Sequence, residues 1–404
     1  MKIGVVGMGY VGIVTAAVLA CRGNTVIGVD IDNEKIRMLR TSQVPIYEPN
    51  LGDRIKEASS NLRFSNDFSS LSECETVFLC VPTPNTRNRI DLKYVLSAAG
   101  DVKKHNHSST LVIKSTVLPG TASKVAELTG MNVVSNPEFT REGSAVLDTE
   151  KPDRIVIGGQ SVESVKKIWE FTGSPVVVTT NENAELIKYA SNAFLAVKIS
   201  FINQIADLCE TIPGADVNLV AEGMGLDRRI GKEFLKAGLG YGGSCFPKDT
   251  AALSGFAEDR GIKMSIVNSA VEYNGKRIAD LSRKINALTG SLKGKKICIL
   301  GLSFKDNTDD MRESRALLLI NELAKYGSDI RAYDPVIKNV QNVKICDDLD
   351  KCIALSEIII TATEWKEFSV IDPGKLSGKI LFDLRRVFDP NIVDLKMGVG
   401  IGKN

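Results

Sequence analysis

The N-terminal stretch KIGVVGMGYVG, residues 2–12, decides the fold of this chain. An apolar run at 2–6 has the composition of a buried strand and leads directly into GMGYVG at 7–12, which fits G-x-G-x-x-G. A helix-like segment follows, and the next apparent strand ends in Asp30, 18 residues beyond Gly12. In this context the pattern is the dinucleotide-binding fingerprint of a Rossmann unit.

Each glycine of the fingerprint has a predicted task. Gly7 permits the tight turn, Gly9 lets a pyrophosphate approach the backbone, and Gly12 allows the helix to pack closely on the strand. Unpaired N–H groups at the helix start would then hold the diphosphate. Asp30 would accept the ribose hydroxyls and repel a 2′-phosphate, so NAD is expected rather than NADP. The alternative is a Rossmann fold that binds no cofactor.

Strand-like and helix-like segments alternate through the first half of the chain, which predicts a parallel sheet with crossover helices. The predicted strands are residues 2–6, 25–30, 77–80, 110–114, 132–134, 154–158 and 175–178. Residues 183–211 then read as one long, largely apolar helix that ends before Pro213. At 1.5 Å per residue it would be about 40 Å long, enough to bridge two domains. Helix-like segments continue to about residue 287.

A second alternating region follows, with strands predicted near 295–300, 330–333, 358–362 and 379–383. Both regions open on an apolar strand and a glycine, and both have a later strand that ends in aspartate, Asp30 and Asp334. We therefore predict an α/β protein with two Rossmann-like domains joined by a long central helix and a helical spacer. The predicted boundaries are 1–180, 181–287 and 288–404. The second copy, GLSFKDNTDD, lacks the second and third glycines, so it should not bind a dinucleotide in the same way.

The composition excludes several classes of protein. The 51 basic and 49 acidic side chains leave a net charge of +2, which gives no reason to expect nucleic acid or an anionic membrane as partner. No apolar run reaches the roughly 18–20 residues that span a bilayer. The N-terminus is glycine-rich and lacks a signal cleavage site, so a soluble, cytoplasmic protein is expected.

Eight cysteines are present without a C-x-x-C pair, and those in apolar stretches, such as Cys80 and Cys298, are interpreted as reduced, buried thiols. No metal site is predicted. The two histidines, His105 and His107, lie in a polar stretch that is typical of a solvated turn. Acid–base chemistry should therefore fall to Lys, Asp, Glu or Cys.

The segment GYGGSCFPKD, residues 240–249, is the strongest candidate for chemistry. Cys245 follows a glycine-rich loop and precedes Pro247, a residue preferred at the first position of a helix. A helix N-terminus and the neighbouring Lys248 would both favour the thiolate, which is the nucleophilic form. The alternative is a small, buried cysteine in a turn.

Two further groups of polar residues are candidates. Glu185, Lys188 and Asn192 are spaced i, i+3 and i+7, so they share one face of the long helix. This face is either a polar site or a surface stripe. Glu138 and Glu142 lie in NPEFTREG, directly after a predicted strand, where α/β sheets carry their sites. A surface position is the alternative for both.

Several motifs, in order along nearly the whole chain, resemble the UDP-glucose/GDP-mannose dehydrogenase family. They are GMGYVG, PIYEP, CVPTP, KSTVLPGT, NPEFTREGSA, PDRIVIGG, ELIKYASNAFLAVKISFIN, GYGGSCFPKD and FKDNTDDMRES. The resemblance implies an enzyme that oxidises C6 of a nucleotide sugar from alcohol to carboxylate with two NAD⁺ and an enzyme thiol. It also implies an N-terminal NAD domain, a central helix that forms a homodimer, and a C-terminal domain that binds the nucleotide.

The resemblance also implies catalytic roles. Cys245 would be the nucleophile that holds the second-stage intermediate as a thioester. Lys188 and Asn192 would stabilise the oxyanion at C6, and Asp249 would help to handle protons near them. Thr116 and Glu138 would position the hydrolytic water, with Glu138 as the base.

Binding residues follow from the same resemblance. The cofactor contacts implied are Gly7, Gly9, Val11, Gly12, Asp30, Lys35, Thr83, Thr116, Glu142, Lys248 and Arg312. The substrate contacts implied are Glu138, Phe139, Arg141, Glu142, Lys188, Asn192, Phe234, Leu235, Lys236, Gly238, Gly242, Lys305 and either Arg385 or Arg386. Arg229 matches a position that reaches the substrate of the neighbouring subunit.

The chain departs from the family pattern at two positions and leaves two kinds of alternative open. Thr140 stands where Leu is usual, and Asp306 where Pro is common, which adds a negative charge near the expected diphosphate.

PDRIVIG resembles the UDP-glucose branch more than the GDP-mannose or UDP-N-acetylhexosamine branches. A one-step hydroxy-acid dehydrogenase with a structural Cys245, or a non-catalytic nucleotide-binding regulator, are the other hypotheses.

Overall fold

The computed structural model describes residues 1–86 and 88–402, and the chain divides into two compact units. Unit 1 comprises Met1–Ser191 and Ala251–Arg260. Unit 2 comprises Asn192–Thr250 and the described residues from Gly261 onward. No helix in these described ranges is both long and apolar enough to cross a membrane.

Unit 1 is an α/β unit. Its strands are β1 (Lys2–Val6), β2 (Thr25–Val29), β3 (Leu62–Ser65), β4 (Thr76–Leu79), β5 (Asn85–Thr86), β6 (Arg89–Ile90), β7 (Thr110–Ile113), β8 (Val133–Ser135), β9 (Ile155–Gly158) and β10 (Val176–Thr179). Its helices are α1 (Tyr10–Cys21), α2 (Asn33–Arg40), α3 (Leu51–Glu57), α4 (Lys93–His105), α5 (Thr121–Thr129), α6 (Ala145–Glu150) and α7 (Glu163–Trp169).

The main sheet of unit 1 has the strand order β10-β9-β8-β7-β4-β1-β2-β3. Alternate residues of its strands enter two different cores, as shown by Phe78 in one and Val77 and Leu79 in the other. The sheet is therefore covered on both faces, which is the usual state of a parallel sheet. Its pairs are parallel except for a single antiparallel pair between Ser135 of β8 and Gly158 of β9. The carboxyl ends of β1, β2, β4, β7 and β8 share one edge, where the candidate site lies.

Four helices follow the first sheet in the chain: α8 (Asn181–Cys209), α9 (Val217–Gly225), α10 (Phe246–Glu258) and α11 (Ser265–Thr289). Helices α8 and α10 each contribute residues to both units. The remaining elements of unit 2 are β11 (Lys296–Leu300), α12 (Arg315–Ala324), β12 (Asp329–Tyr333), β13 (Lys344–Ile345), α13 (Leu349–Ala354), β14 (Ile358–Thr361), α14 (Pro373–Leu376), β15 (Ile380–Asp383) and β16 (Met397–Gly398). Its strands pair in parallel in the order β13-β12-β11-β14-β15-β16.

The fold class is confirmed as α/β with two Rossmann-like sheets. The predicted strands form within one or two residues of the expected bounds, and the long helix begins and ends two residues earlier than predicted. Strands β3, β5, β6, β13 and β16 were missed because each has only two to four residues, too few to show a pattern.

One cysteine interpretation is wrong. Cys298 of β11 and Cys352 of α13 are paired in a disulfide rather than being reduced thiols, and both side chains are completely buried. They are 54 residues apart in the chain, so the sequence alone could not show that strand and helix bring them together.

The second Rossmann-like copy uses its aspartate to hold its own backbone. Asp334 is completely buried and accepts hydrogen bonds from the backbone N–H groups of Leu302 (2.8 Å), Ser303 (3.4 Å), Val336 (2.9 Å) and Ile337 (3.0 Å). No lone pair of this carboxylate faces solvent, so Asp334 is structural.

We predict that Asp334→Ala lowers the free energy of unfolding of unit 2 by roughly 2–4 kcal/mol, because it leaves buried N–H groups without partners. The chain has two tryptophans, so in a Trp169→Phe background Trp365 alone reports on unit 2 during urea unfolding. The exposed Asp347→Ala is the matched control. A loss no larger than that of the control would contradict the assignment.

Candidate active site

The glycine loop between β1 and α1 has the geometry of a phosphate cradle. Gly7 has a φ of +93°, and a Cβ there would lie 2.7 Å from the carbonyl oxygen of Cys80. A Cβ at Gly12 would overlap the carbonyl oxygen of Gly7. At Gly9 a Cβ would meet no described atom within 4 Å, so this side of the loop is open to a ligand. The three glycines therefore meet three different steric requirements.

The N-terminus of α1 is prepared for an anion. Its cap residue is Gly9, no side chain caps it, and no acidic residue lies in its first turn. The dipole and N–H groups at such a helix end favour a bound phosphate. In the second copy, by contrast, Ser314 caps α12 by accepting from the N–H of Leu317 at 3.3 Å. The residues at α1 therefore fit a dinucleotide, and those at α12 do not fit it in the same way.

Asp30 lies at the edge of the sheet beside this loop. Its Oδ2 accepts from the N–H of Met8 (2.7 Å) and from Nζ of Lys35 (3.1 Å), and its Oδ1 accepts from the N–H of Asp32 (2.9 Å). The side chain of Asp30 keeps 10% of its surface exposed, unlike the fully buried Asp334. The structure thus brings the predicted residues Asp30 and Lys35 to the glycine loop.

A buried ion pair follows β8. Nζ of Lys188 donates to Oε1 of Glu138 at 2.9 Å, and both side chains are less than one tenth exposed. Oε2 of Glu138 accepts from the N–H (2.7 Å) and Oγ1 (2.8 Å) of Thr140. Burial by itself would raise the pKa of Glu138, but the ammonium of Lys188 and the two Thr140 donors outweigh it and lower this pKa to about 2. Glu138 is therefore a carboxylate at every physiological pH.

A second buried carboxylate, Glu185, lies one helical turn before Lys188 on α8. It accepts from the N–H groups of Gly120 (2.7 Å) and Ala122 (2.8 Å) and from Oγ of Ser135 (3.3 Å). Burial raises its pKa to about 7 in spite of these donors. Of the two interpretations of this helix face, the surface stripe is wrong, because Glu185, Lys188 and Asn192 are all buried.

The other predicted residues of unit 1 lie at the same edge of the sheet. Thr116 follows β7, and the buried Thr83 follows β4. The ring of Phe139 lies 5.3 Å from Nζ of Lys188. Arg141 is exposed and binds Asp148 through both Nε (3.0 Å) and Nη2 (2.7 Å).

Two residues of this edge were missed in the sequence. Glu48 of the PIYEP motif is buried and accepts from the N–H of Gly143 at 2.6 Å, and Tyr10 donates its hydroxyl to the same carboxylate. This contact ties the loop that carries Glu142 to α1. The buried Glu in PIYEP was the available signal, but its partner lies 95 residues away.

In unit 2, Cys245 lies at the start of α10. The N–H of Asp249 donates to the carbonyl of Cys245 at 2.8 Å, so Cys245 precedes the first helical turn and Pro247 lies within it. Among the described cysteines outside the disulfide, Cys245 is the one with an exposed side chain. Its alternative, a buried cysteine in a turn, is therefore wrong. The helix N-terminus favours the thiolate here.

Asp249 contacts one predicted catalytic residue, Asn192, and one predicted cofactor residue, Lys248. Its Oδ2 accepts from Nδ2 of Asn192 at 2.6 Å, and its Oδ1 accepts from Nζ of Lys248 at 2.6 Å. Asp249 and Asn192 are both buried. The catalytic candidates are thus divided: Thr116, Glu138 and Lys188 belong to unit 1, and Asn192, Cys245 and Asp249 belong to unit 2.

The loop before Cys245 has almost no regular secondary structure and is held by buried polar side chains. The contacts are Asn203 Oδ1 with Gly238 N (2.8 Å), Arg277 Nε with Gly238 O (2.5 Å), Asn274 Oδ1 with Tyr241 N (2.9 Å) and Arg315 Nε with Leu239 O (3.3 Å). The rings of Phe234 and Tyr241 pack against Phe246 of α10 at 6.1 and 6.0 Å. None of the four polar residues was predicted, because a buried Arg or Asn on an amphipathic helix looks like a surface residue.

Of the predicted substrate residues in this loop, Leu235 is buried in the core, and Lys236 lies 3.8 Å from Glu364. Gly242 lies directly beside the backbone of Glu313. Arg385 donates to the carbonyl of Ala362 at 3.0 Å.

The structure separates the two arginine alternatives. Arg386 forms a two-point ion pair with Asp216 (2.9 and 2.8 Å) and is 6% exposed. Arg385 lies beside Gly238, which belongs to the predicted substrate loop 234–238. Of the two arginines, Arg385 is therefore the one that lies beside the predicted substrate loop, while Arg386 is held by Asp216.

The remaining cations are exposed and paired locally, Arg229 with Asp227 and Arg312 with Asp310, both at 2.6 Å. Near Lys305, burial raises the pKa of Asp306, and the nearby Glu364 raises it further. The negative charge that departs from the family pattern therefore lies among the predicted substrate residues of unit 2.

The glycine loop, the uncapped α1 and Asp30 together define an NAD-binding Rossmann protein, and Cys245 adds an accessible thiol. Sequence profiles of the UDP-glucose/GDP-mannose dehydrogenase family match along the chain: the NAD binding domain at residues 1–171, the central domain at 182–276 and the UDP binding domain at 298–390. The chain belongs to this family, and it is an NAD-dependent oxidoreductase.

Individual proteins agree with this assignment. The chain is 41% identical to a UDP-glucose 6-dehydrogenase of Rhizobium meliloti, with 96% of each chain covered. It is 40% identical to the UDP-glucose 6-dehydrogenase TuaD of Bacillus subtilis, over 96% of this chain and 89% of TuaD. Among solved structures, a UDP-glucose dehydrogenase of Pyrobaculum islandicum has a TM-score of 0.91 at 35% identity, covering 99% of this chain and 98% of its own.

We predict that the catalytic efficiency with NAD⁺ exceeds that with NADP⁺ by at least about tenfold, or roughly 1.4 kcal/mol, because Asp30 repels a 2′-phosphate. Asp30→Ser should reduce this ratio, whereas the exposed Asp53→Ser should leave it unchanged. Steady-state kinetics with both cofactors measure it. Equal efficiencies in the unmodified protein would contradict the role of Asp30.

Proposed function

We propose that this chain oxidises UDP-glucose at C6 to UDP-glucuronate, using two NAD⁺ and a covalent intermediate on Cys245. The observation that carries the proposal is the exposed Cys245 at the start of α10, in the same chain as an NAD-binding loop. Oxidation of an alcohol to a carboxylate removes four electrons, and a thiol can hold the aldehyde-level intermediate between its two stages. The names of the curated relatives support UDP-glucose as the sugar nucleotide.

NAD⁺ supplies the electron acceptor for both stages, and Gly7, Gly9, Gly12 and Asp30 would hold it. The thiolate of Cys245 adds to the C6 aldehyde and gives a thiohemiacetal, whose oxidation yields a thioester. Lys188 and Asn192 would donate to the oxygen on C6, since an ammonium and an amide aimed at a developing oxyanion are a large catalytic contribution. Asp249 would accept a proton near them.

Hydrolysis of the thioester is assigned to residues of unit 1. Thr116 and Glu138 would position the water, and Glu138 would act as the base. With a pKa of about 2, Glu138 is a weak base while Lys188 binds it. Proton transfer to Glu138 should therefore accompany a shift of the Lys188 ammonium from this carboxylate toward the oxygen on C6. The ion pair would couple oxyanion stabilisation to hydrolysis.

Binding of the nucleotide is assigned to the loop 234–238, Gly242, Lys305 and Arg385 of unit 2. Cationic side chains suit a diphosphate, and Arg385 lies beside the loop backbone at Gly238. Asp306 would oppose them and weaken the affinity. Oxidation of GDP-mannose or a UDP-N-acetylhexosamine is the alternative within the family. A UDP-D-ManNAc dehydrogenase of Pyrococcus horikoshii has a TM-score of 0.90 at 26% identity, so the fold does not select the sugar.

A panel of UDP-glucose, GDP-mannose and UDP-N-acetylhexosamines, assayed with excess NAD⁺, tests the proposal. UDP-glucose should be the preferred substrate and should yield two NADH per UDP-glucuronate formed. One NADH per product would indicate a one-step dehydrogenase with a structural Cys245. Binding without any NADH would indicate a non-catalytic regulator.

Two substitutions should block the reaction at different stages. Cys245→Ala should abolish formation of the acid, because no covalent acyl intermediate can form. Glu138→Gln should slow hydrolysis instead, so that a thioester accumulates and the intact protein gains the mass of the acyl group during turnover. Near wild-type production of uronic acid by Cys245→Ala, or no adduct on Glu138→Gln, would overturn the mechanism.

We also propose the domain roles: residues 1–180 bind NAD, 181–287 form the dimer and 288–404 bind UDP. Phe194, Phe201 and Leu208 of α8 are 65%, 45% and 56% exposed and recur every seven residues. Such a seam is self-complementary between two copies of a helix, and exposed apolar rows of this kind mark interfaces. Arg229, which is 89% exposed on its side chain, would then reach the partner's substrate. A cytoplasmic location keeps exposed thiols such as Cys245 reduced, whereas the Cys298–Cys352 disulfide is completely buried and therefore shielded from reductants. The product would serve polysaccharide synthesis.

The dimer is directly testable. The unmodified protein should be a dimer by light scattering at micromolar concentration, and Phe201→Glu should shift it toward monomer because it places a charge in the apolar seam. Leu128→Glu, on an exposed position of α5 in unit 1, is the control and should stay dimeric. A monomeric wild-type protein would contradict the proposed interface.

A further inference from the structure

The loop that carries Thr116 is fastened at both of its ends. At the start, Oγ of Ser115 donates to the carbonyl of Val81 at 2.7 Å. At the other end, the N–H of Gly120 donates to Oε2 of Glu185 at 2.7 Å. Thr116 lies between these two anchors, and the second anchor is a side chain of α8.

Glu185 reaches three separate elements with one carboxylate. Besides Gly120 it accepts from the N–H of Ala122 in α5 at 2.8 Å and from Oγ of Ser135 at the end of β8 at 3.3 Å. The side chain is 2% exposed, so these contacts are shielded from water. In its ionised form, which predominates above its pKa of about 7, this carboxylate binds its donors more strongly than a neutral acceptor would. The loop, the helix and the strand are therefore held together at one point.

Glu185 also lines a very small cavity in unit 1. The cavity has a volume of about 10 Å³, and its polar lining includes Ser115, Thr116, Ser135, Glu185 and Lys188. This is about the volume that one water molecule requires, and the lining offers several hydrogen-bonding groups. Thr116 and Lys188 thus face the same water-sized space, and Glu185 connects the segments that carry them.

We propose that Glu185 is a positioning residue, which fixes the loop of Thr116 against α8 and so holds Thr116 and Lys188 around a single water molecule. The proposal rests on the proposed function, because Thr116 is assigned there to hydrolysis of the thioester. It names a third residue for that step, in addition to Thr116 and Glu138, and gives it a role through Thr116 rather than at the substrate.

The chemistry of the side chain explains why a carboxylate is needed. Two N–H groups and a hydroxyl converge on Glu185, and a carboxylate accepts through both of its oxygens. Glutamine has the same size, but its amide nitrogen would face one of the two N–H groups, donor against donor. Aspartate is one methylene shorter and could not reach all three partners. Glu185→Gln is therefore a small change that should release either Gly120, at the end of the loop, or Ala122, two residues beyond it in α5.

The test is pre-steady-state formation of NADH from UDP-glucose and NAD⁺ by the full chain, at a pH above the Glu185 pKa of about 7, where this side chain is ionised. In Glu185→Gln the first turnover should still release about two NADH per active site at the wild-type rate constant, since both oxidations precede hydrolysis. The steady-state rate should fall by about 10- to 100-fold, the size of effect expected for a catalytic group that is misplaced by an ångström. The KM values should change by less than about twofold, and the acyl adduct on Cys245 should accumulate.

Glu182→Gln is the matched control. Glu182 lies on the same helix and bonds the same neighbouring helix, through Oγ of Ser123 at 2.8 Å, but it is exposed and does not line the cavity. The Glu182→Gln protein should keep the wild-type burst of NADH and the wild-type steady-state rate. A loss of stability alone would lower the burst amplitude and the steady-state rate of Glu185→Gln together, and that result would overturn the proposal. A steady-state rate within twofold of the control would also overturn it.

Coupling to Thr116 provides the second measurement. If Glu185 acts through Thr116, then Thr116→Val with Glu185→Gln should be no more than about twofold slower than Thr116→Val alone. Independent, multiplying effects would contradict the proposal. Should Glu185→Gln not fold, Ser135→Ala removes one of the same contacts and should give a weaker form of the same burst. If the wild-type protein makes no NADH from UDP-glucose, it is the proposed function that fails.

Discussion

The buried ion pair between Lys188 and Glu138 is the interaction on which the candidate site depends. An ammonium in the interior is tolerated only when it is paired and hydrogen-bonded, and loss of one partner would leave an uncompensated buried charge. The pair joins α8 to the loop after β8. One turn earlier, Glu185 joins the same helix to the loop after β7. Helix α8 therefore contacts two loops at the sheet edge of unit 1 through charged side chains.

The two Rossmann-like sheets show how one architecture separates into binding and structural uses. Each sheet has an aspartate after its second strand. Asp30 remains partly exposed beside an uncapped helix. Asp334 is buried and accepts hydrogen bonds from backbone N–H groups. The two helix ends differ in the same way: Ser314 caps α12, whereas no side chain caps α1. Burial of the aspartate and capping of the helix, together with the missing second and third glycines, distinguish the second copy from the first.

The thiol is placed by an irregular loop, whose backbone groups cannot satisfy one another as they would in a helix or sheet. Buried Asn203, Asn274, Arg277 and Arg315 supply the missing partners. Such side chains are costly to bury without partners, so their contacts with the loop backbone oppose other conformations of the loop. This restraint suits a loop that leads into the nucleophile.

The sequence by itself determined the α/β class, the NAD fingerprint, the long helix and the identity of Cys245 as the exceptional thiol, because these depend on local periodicity and on residues close together in the chain. Only the tertiary structure decided which polar residues are buried and whom they bind. Glu185 with Gly120, Glu48 with Gly143, Arg277 with Gly238 and the disulfide between Cys298 and Cys352 all join segments that are far apart in sequence. The sequence does not show whether a charged or thiol side chain is exposed to water or bonded to a buried partner. Only packing in three dimensions distinguishes these two environments.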